Sequence, residues 1–93
     1  MKMEPLTIFI LKRCPYCKKA IKIIEKLQSE SKYEGIELVY IDESKEKELA
    51  ASFDYYYVPS FFVGNTKLHE GAIKQEQMIE LFDQYMSLKQ EDV

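Results

Sequence analysis

The segment Thr7-Ile8-Phe9-Ile10-Leu11-Lys12-Arg13-Cys14-Pro15-Tyr16-Cys17 runs from an apolar, β-branched pentad through two bases into a Cys-x-x-Cys pair. The pentad Thr7 to Leu11 reads as a short buried strand. Pro15 stands where a helix can begin, because the first turn loses nothing by its missing N–H. From there Ala20, Ile21, Ile24 and Leu27 fall on one face, with Lys18, Lys22, Glu25 and Lys26 around the rest. That spacing predicts an amphipathic helix of about four turns, ending before Gly35. Ile36 to Ile41 then reads as a second strand. A strand, a helix and a strand in this order predict a parallel pair joined by a right-handed crossover.

Outward from this unit the pattern stays regular. Asp42 or Ser44 is expected to cap a shorter helix through Glu48, Leu49 and Phe53. Ser60 to Val63, after Pro59, reads as a third strand. Gly64-Asn65-Thr66 is a turn, and Lys67 to Glu70 completes a hairpin. Gln75 to Leu88 carries Met78, Ile79, Phe82, Tyr85 and Met86 at helical spacing, and Gln90 to Val93 is expected to fray. The order is β-α-β-α-β-β-α. It implies an α/β fold with helices on both faces of a four-stranded mixed sheet.

Ninety-three residues leave room for one domain, read as 1–93. With 46% hydrophobic and 31% charged residues, disorder and low-complexity architectures are excluded. Two cysteines are too few for a disulfide scaffold. The apolar run Leu6 to Leu11 is too short for a signal-peptide core or a membrane span, so a reducing, cytoplasmic setting is expected. Charge is uneven. Residues 1–33 hold eight bases against three acids, and the remaining five bases face thirteen acids. Lys12, Arg13, Lys18, Lys19 and Lys22 flank the cysteines, either as a solvated helix face or as a local positive field.

Cys14-Pro15-Tyr16-Cys17 follows a strand and opens a helix, the context in which a Cys-x-x-Cys pair suggests redox chemistry. One helical turn brings both side chains to the same side. Unpaired N–H groups and the positive dipole end face the first sulfur. Such surroundings move a thiol from about 8.5 to roughly 3.5–7.5, which favours the nucleophilic thiolate. Cys14 is therefore expected to be the exposed attacker, and Cys17 the shielded residue that acts second. A structural zinc would need four ligands, yet there is no third Cys, and His69 is the only histidine. Two structural thiols, or an iron–sulfur cluster shared between two chains, stay open as alternatives.

On these residues the chain resembles the glutaredoxins, within the thioredoxin-fold superfamily. The resemblance rests on the strand leading into the C-P-Y-C tetrad, the helix after it, Val58-Pro59 heading the third strand, and the element order. It implies a cis peptide at Pro59. It also implies that the main chain of Val58 pairs with an extended substrate, much as a strand adds to a sheet edge. Lys12, Arg13, Tyr16, Tyr57 and Gly71 join Val58 and Pro59 as expected substrate-binding residues. Two departures concern glutathione. Gly71-Ala72 stands where the family usually has Gly-Gly followed by an acid or serine, and Leu11 stands three residues before Cys14, where a base is usual.

The activity so implied is thiol–disulfide oxidoreduction, with Cys14 as nucleophile and Cys17 as resolving residue. Protein disulfides and glutathione are the expected partners and glutathione the co-substrate, with no bound cofactor and no metal. A monomer is expected, without nucleic acid or membrane; residues 48–66 hold no Lys or Arg to meet phosphate. One rival is the same chemistry fed by a thioredoxin-reductase-like flavoenzyme. The other is a binding or cluster-bridged module without turnover. Tyr55, Tyr56 and Tyr57 are read as packing at the strand start with phenols reaching water, or as an aromatic lip led by Tyr57. His69 is expected to be solvated, and Met78, Phe82 and Met86 to be core.

Overall fold

A computed structural model describes residues 4–91. Its elements are β1 (Leu6–Ile10), α1 (Pro15–Gln28), β2 (Leu38–Asp42), α2 (Lys47–Ala51), β3 (Ser60–Val63), β4 (Thr66–Glu70) and α3 (Gln75–Glu91). The sheet order is β2-β1-β3-β4. β1 pairs parallel with β2, from Leu6 opposite Leu38 to Ile10 opposite Asp42. β1 and β3 are antiparallel, as are β3 and β4. This is the mixed four-stranded sheet and three-helix order that the sequence predicts.

Alternation along β1 separates two cores, because successive strand side chains point to opposite faces. Leu6 and Ile8 face α1 and α3, among Ala20, Ile24, Leu27, Met78 and Phe82. Phe9 faces the other way, onto Ile41, Phe62 and Ala50 of α2. Its ring centroid lies 4.7 Å from Phe53, 4.9 Å from Tyr55 and 5.6 Å from Phe62. Met78 and Phe82 are core as expected, and Met86 packs partly buried against them.

Element bounds differ from expectation where the backbone finds partners outside the ladder. Leu11 leaves β1 because its carbonyl accepts the Cys14 N–H at 3.1 Å, closing a turn. Ile36 is buried but sits in a turn bonded to the Tyr33 carbonyl, so β2 starts at Leu38. The expected caps of α2 are a correction. The Asp42 carboxylate accepts the Ser44 N–H and hydroxyl at 2.9 and 2.6 Å, and its carbonyl accepts the Lys45 and Glu46 amides. Asp42 therefore closes a turn by the Asx route, and α2 begins after Glu46 with no side-chain cap. α2 also ends before Phe53.

α3 starts more firmly. The Met78 N–H bonds the Lys74 carbonyl at 2.9 Å, and the Gln77 side chain reaches back to the Lys74 N–H at 2.8 Å. This is the reciprocal half of a capping box. α3 continues through Glu91, beyond the expected end, and Asp92 and Val93 lie outside the described residues.

β4 carries a bulge. Phe61 pairs with His69 and Phe62 with Lys67, so Leu68 is the extra residue. In a regular strand, residues three apart point to opposite faces, and the inserted residue cancels that. Lys67 and Glu70 consequently share a face, with Nζ and Oε1 2.7 Å apart.

Candidate active site

The parallel pairing of β1 and β2 brings their C-terminal ends together, and open α/β sheets build sites at such ends. Cys14 is the N-cap of α1, with extended backbone (φ −76°, ψ 120°) and no side-chain cap bond. Pro15 takes the first helical position, and the Lys18 N–H bonds the Cys14 carbonyl at 3.1 Å. The Cys14 side chain is half-buried and that of Cys17 only 1% exposed. Burial pushes the Cys17 thiol up from its ordinary 9.0 to about 12; a backbone hydrogen bond at Leu11 opposes this, and the Cys14 thiol and the Glu43 charge add to it.

The two thiols are therefore neighbours in different surroundings. Cys14 is only partly exposed at the helix mouth, less than the exposed attacker expected, and Cys17 lies inside as a protonated thiol at neutral pH. The Cys14 Sγ also lies 4.0 Å from the Val58 carbonyl oxygen, across 44 residues of sequence. Val58-Pro59 is cis, as the resemblance implies. Among the described residues the Val58 N–H donates to no protein group. Val58 is half-buried and Pro59 buried. Gly71 adopts φ +91°, a region that favours glycine, and donates its N–H to the Pro59 carbonyl at 2.8 Å. A Cβ on Gly71 would lie 3.9 Å from the Tyr57 Cβ. Cys14, Val58, Pro59, Tyr57 and Gly71 thus converge, although they come from three separate stretches of chain.

Lys12 and Arg13 are exposed and line a cavity of about 510 Å³ with Leu11 and Cys14. Asp42, Ser44 and Lys45 form its far wall. Sequence reading missed this wall, although the parallel strand pair, which sets the end of β2 beside that of β1, could have found it. The hydrogen bonds from Ser44 hold the Asp42 carboxyl below the usual carboxylate range. Tyr16 is 55% exposed beside the pair.

The three tyrosines divide. Tyr55 stacks on Phe9, and its hydroxyl donates to Glu43 Oε1 at 3.3 Å. Burial first, then the Glu43 charge, pushes its phenol up to about 12. Tyr56 and Tyr57 do not pack inward, being 85% and 70% exposed. The packing reading therefore holds for Tyr55 alone. His69 is partly solvated. It is half-buried, its ring lies 6.1 Å from that of Phe61, and its Nε2 is 3.0 Å from the Ala72 carbonyl. A carbonyl only accepts, so that nitrogen carries the proton.

Glu70 is a residue whose importance the sequence did not reveal. Its Oε2 accepts the Tyr56 and Tyr57 amides at 2.5 and 2.9 Å. Lys67 first, then these two amides, holds its carboxyl down to about 2. Among the described residues no cluster of three or more His, Cys, Asp and Glu side chains is arranged to hold a metal ion, and no helix is long and apolar enough to cross a membrane.

Among curated proteins, nothing matches this chain. Solved structures share its fold, two among them as follows. A malarial protein is 22% identical with a TM-score of 0.70, covering 91% of this chain and 99% of its own. Thioredoxin O2 from Arabidopsis thaliana, in its oxidized state, is 19% identical with a TM-score of 0.59, covering 88% of this chain and 74% of its own. The glutaredoxin family model matches residues 6–68, from the first residue of β1 to the bulge of β4. That span contains both cysteines and the Val58-Pro59 pair, and the chain belongs to the glutaredoxin family.

Proposed function

We propose that this protein is a glutathione-linked dithiol–disulfide oxidoreductase acting on protein and glutathione mixed disulfides in the cytoplasm. The observation that carries the reading is the unequal pair, with Cys14 Sγ at the helix mouth 4.0 Å from the Val58 carbonyl and Cys17 buried behind it. Family membership supports the reaction class. The Cys14 sulfur attacks one sulfur of the substrate disulfide, and the other leaves as a thiol. A mixed disulfide on Cys14 results. Cys17 gives up its proton and attacks the Cys14 sulfur, which releases the second substrate thiol and leaves a Cys14–Cys17 bridge. The substrate gains two electrons, and the protein dithiol loses them. Two glutathione molecules then reduce the bridge and leave as glutathione disulfide.

In this reading Val58 offers its main chain to the substrate. Tyr57 and Gly71 border one side of the groove, and Lys12 and Arg13 attract anionic groups on the other. Tyr16 touches substrate from the helix. No metal or organic prosthetic group is required, and a monomer suffices.

A second reading changes only the electron source. Leu11 and Gly71-Ala72 depart from the glutathione-holding pattern, which suits a carrier reduced by a thioredoxin-reductase-like flavoenzyme. Recycling assays separate the two. Turnover of a mixed disulfide with glutathione and its reductase, but not with thioredoxin reductase, is the expected result. The opposite preference contradicts the glutathione assignment and keeps the dithiol chemistry.

A further inference from the structure

We propose that Glu70 is a positioning residue that presets the Val58 main chain for disulfides carried on an extended peptide, in preference to disulfides without a peptide backbone. The inference rests on the oxidoreductase reading above and deepens its substrate class.

The loop before Pro59 is tied to β4 at several points. Glu70 Oε2 accepts the two consecutive amides of Tyr56 and Tyr57. Lys67 Nζ donates to the Asp54 carbonyl at 3.2 Å and to Glu70 Oε1 at 2.7 Å. The Ser60 hydroxyl donates to the Tyr57 carbonyl, and the Gly71 N–H to that of Pro59. Val58 is left between these anchors, its carbonyl toward the Cys14 sulfur.

One carboxylate satisfies two neighbouring donors only if the chain between them turns in a fixed way. Charged acceptors make such bonds stronger than neutral ones. The arrangement depends on the Leu68 bulge, which sets Lys67 and Glu70 on one face of the strand. A substrate that pairs main chain to main chain gains from a rigid Val58, because the ordering cost is met before binding. A small disulfide with no amide has no such bond to gain.

The test is single-turnover oxidation of the reduced protein, followed by quenching and mass spectrometry. One substrate is a disulfide-bonded peptide and the other 2-hydroxyethyl disulfide. Glu70→Leu is expected to raise the peptide concentration needed for half-maximal rate by about tenfold. Its maximal rate, and its rate on 2-hydroxyethyl disulfide, should stay within about twofold of wild type. Glu70→Gln keeps an acceptor for the amides and should restore most of the loss. Hydrogen exchange gives a readout free of turnover: the Tyr56 and Tyr57 amides should exchange faster in Glu70→Leu, while those of Ile8 and Phe61 stay protected. An unchanged peptide requirement overturns the proposal, as does an equal loss on both substrates that Glu70→Gln leaves unrepaired. Wild-type protein that reduces neither disulfide overturns the oxidoreductase reading and this inference with it.

Discussion

Two sulfur atoms one helical turn apart occupy opposite environments, and position alone separates them. Cys14 caps α1 and is half-buried, whereas Cys17 faces the interior with 1% of its surface exposed. The tetrad and its strand–helix context were legible in sequence, because helical spacing fixes which thiol lies inward. Glu70 was not, since its partners are backbone amides and no side-chain pattern marks them. The environment of Cys17 has a consequence for stability. Burial raises its folded-state pKa from 9.0 to about 12, so the folded chain holds this proton more tightly than the unfolded one. The stability it contributes is complete below about pH 9 and is lost as pH rises toward about 12. Tyr55 acts in the same direction over the upper part of this window. Denaturant titrations of the reduced protein at stepped alkaline pH should show wild type losing stability across the window. Cys17→Ala should show a shallower fall, and equal slopes would place the Cys17 proton elsewhere.

The elements located best in sequence are β3, whose Phe61 and Phe62 face opposite cores, and the start of α1. β3 has the expected bounds, and α1 the expected start, because Pro15 marks it locally. The misread boundaries of β1, β2 and α2 all involve turns closed by backbone carbonyls or by the Asp42 side chain, which hydrophobic patterning does not register. The bulge in β4 was equally invisible, as it is defined by the partner strand. α2 has five residues and no side-chain cap, so its place depends on packing against the Phe9 cluster. Phe9→Ala should cost about 3–5 kcal/mol, a large share of the roughly 5–15 kcal/mol typical of a whole domain. Chemical denaturation measures this. A loss below about 1 kcal/mol would mean that the α2 face is not held by this ring.

At the scale of the molecule, the fold gathers chemistry that the sequence scatters. The C-terminal ends of β1 and β2 supply Cys14 and the Asp42–Lys45 wall, and the start of β3 supplies Val58-Pro59. The β4 end supplies Glu70 and Gly71, which hold the loop before Pro59 from behind. The Tyr85 hydroxyl donates to the Glu4 carbonyl at 2.9 Å, joining α3 to the segment leading into β1. The proposed reaction requires Cys14 to attack first and Cys17 second. Trapping the intermediate tests this most directly: reduced Cys17→Ser protein is mixed with a disulfide-bonded peptide, and the adduct is mapped by mass spectrometry. The expected result is one stable mixed disulfide on Cys14, with no adduct when Cys14→Ser is treated in the same way. An adduct that forms on Cys17 in Cys14→Ser as fast as on Cys14 in Cys17→Ser would contradict the order of attack.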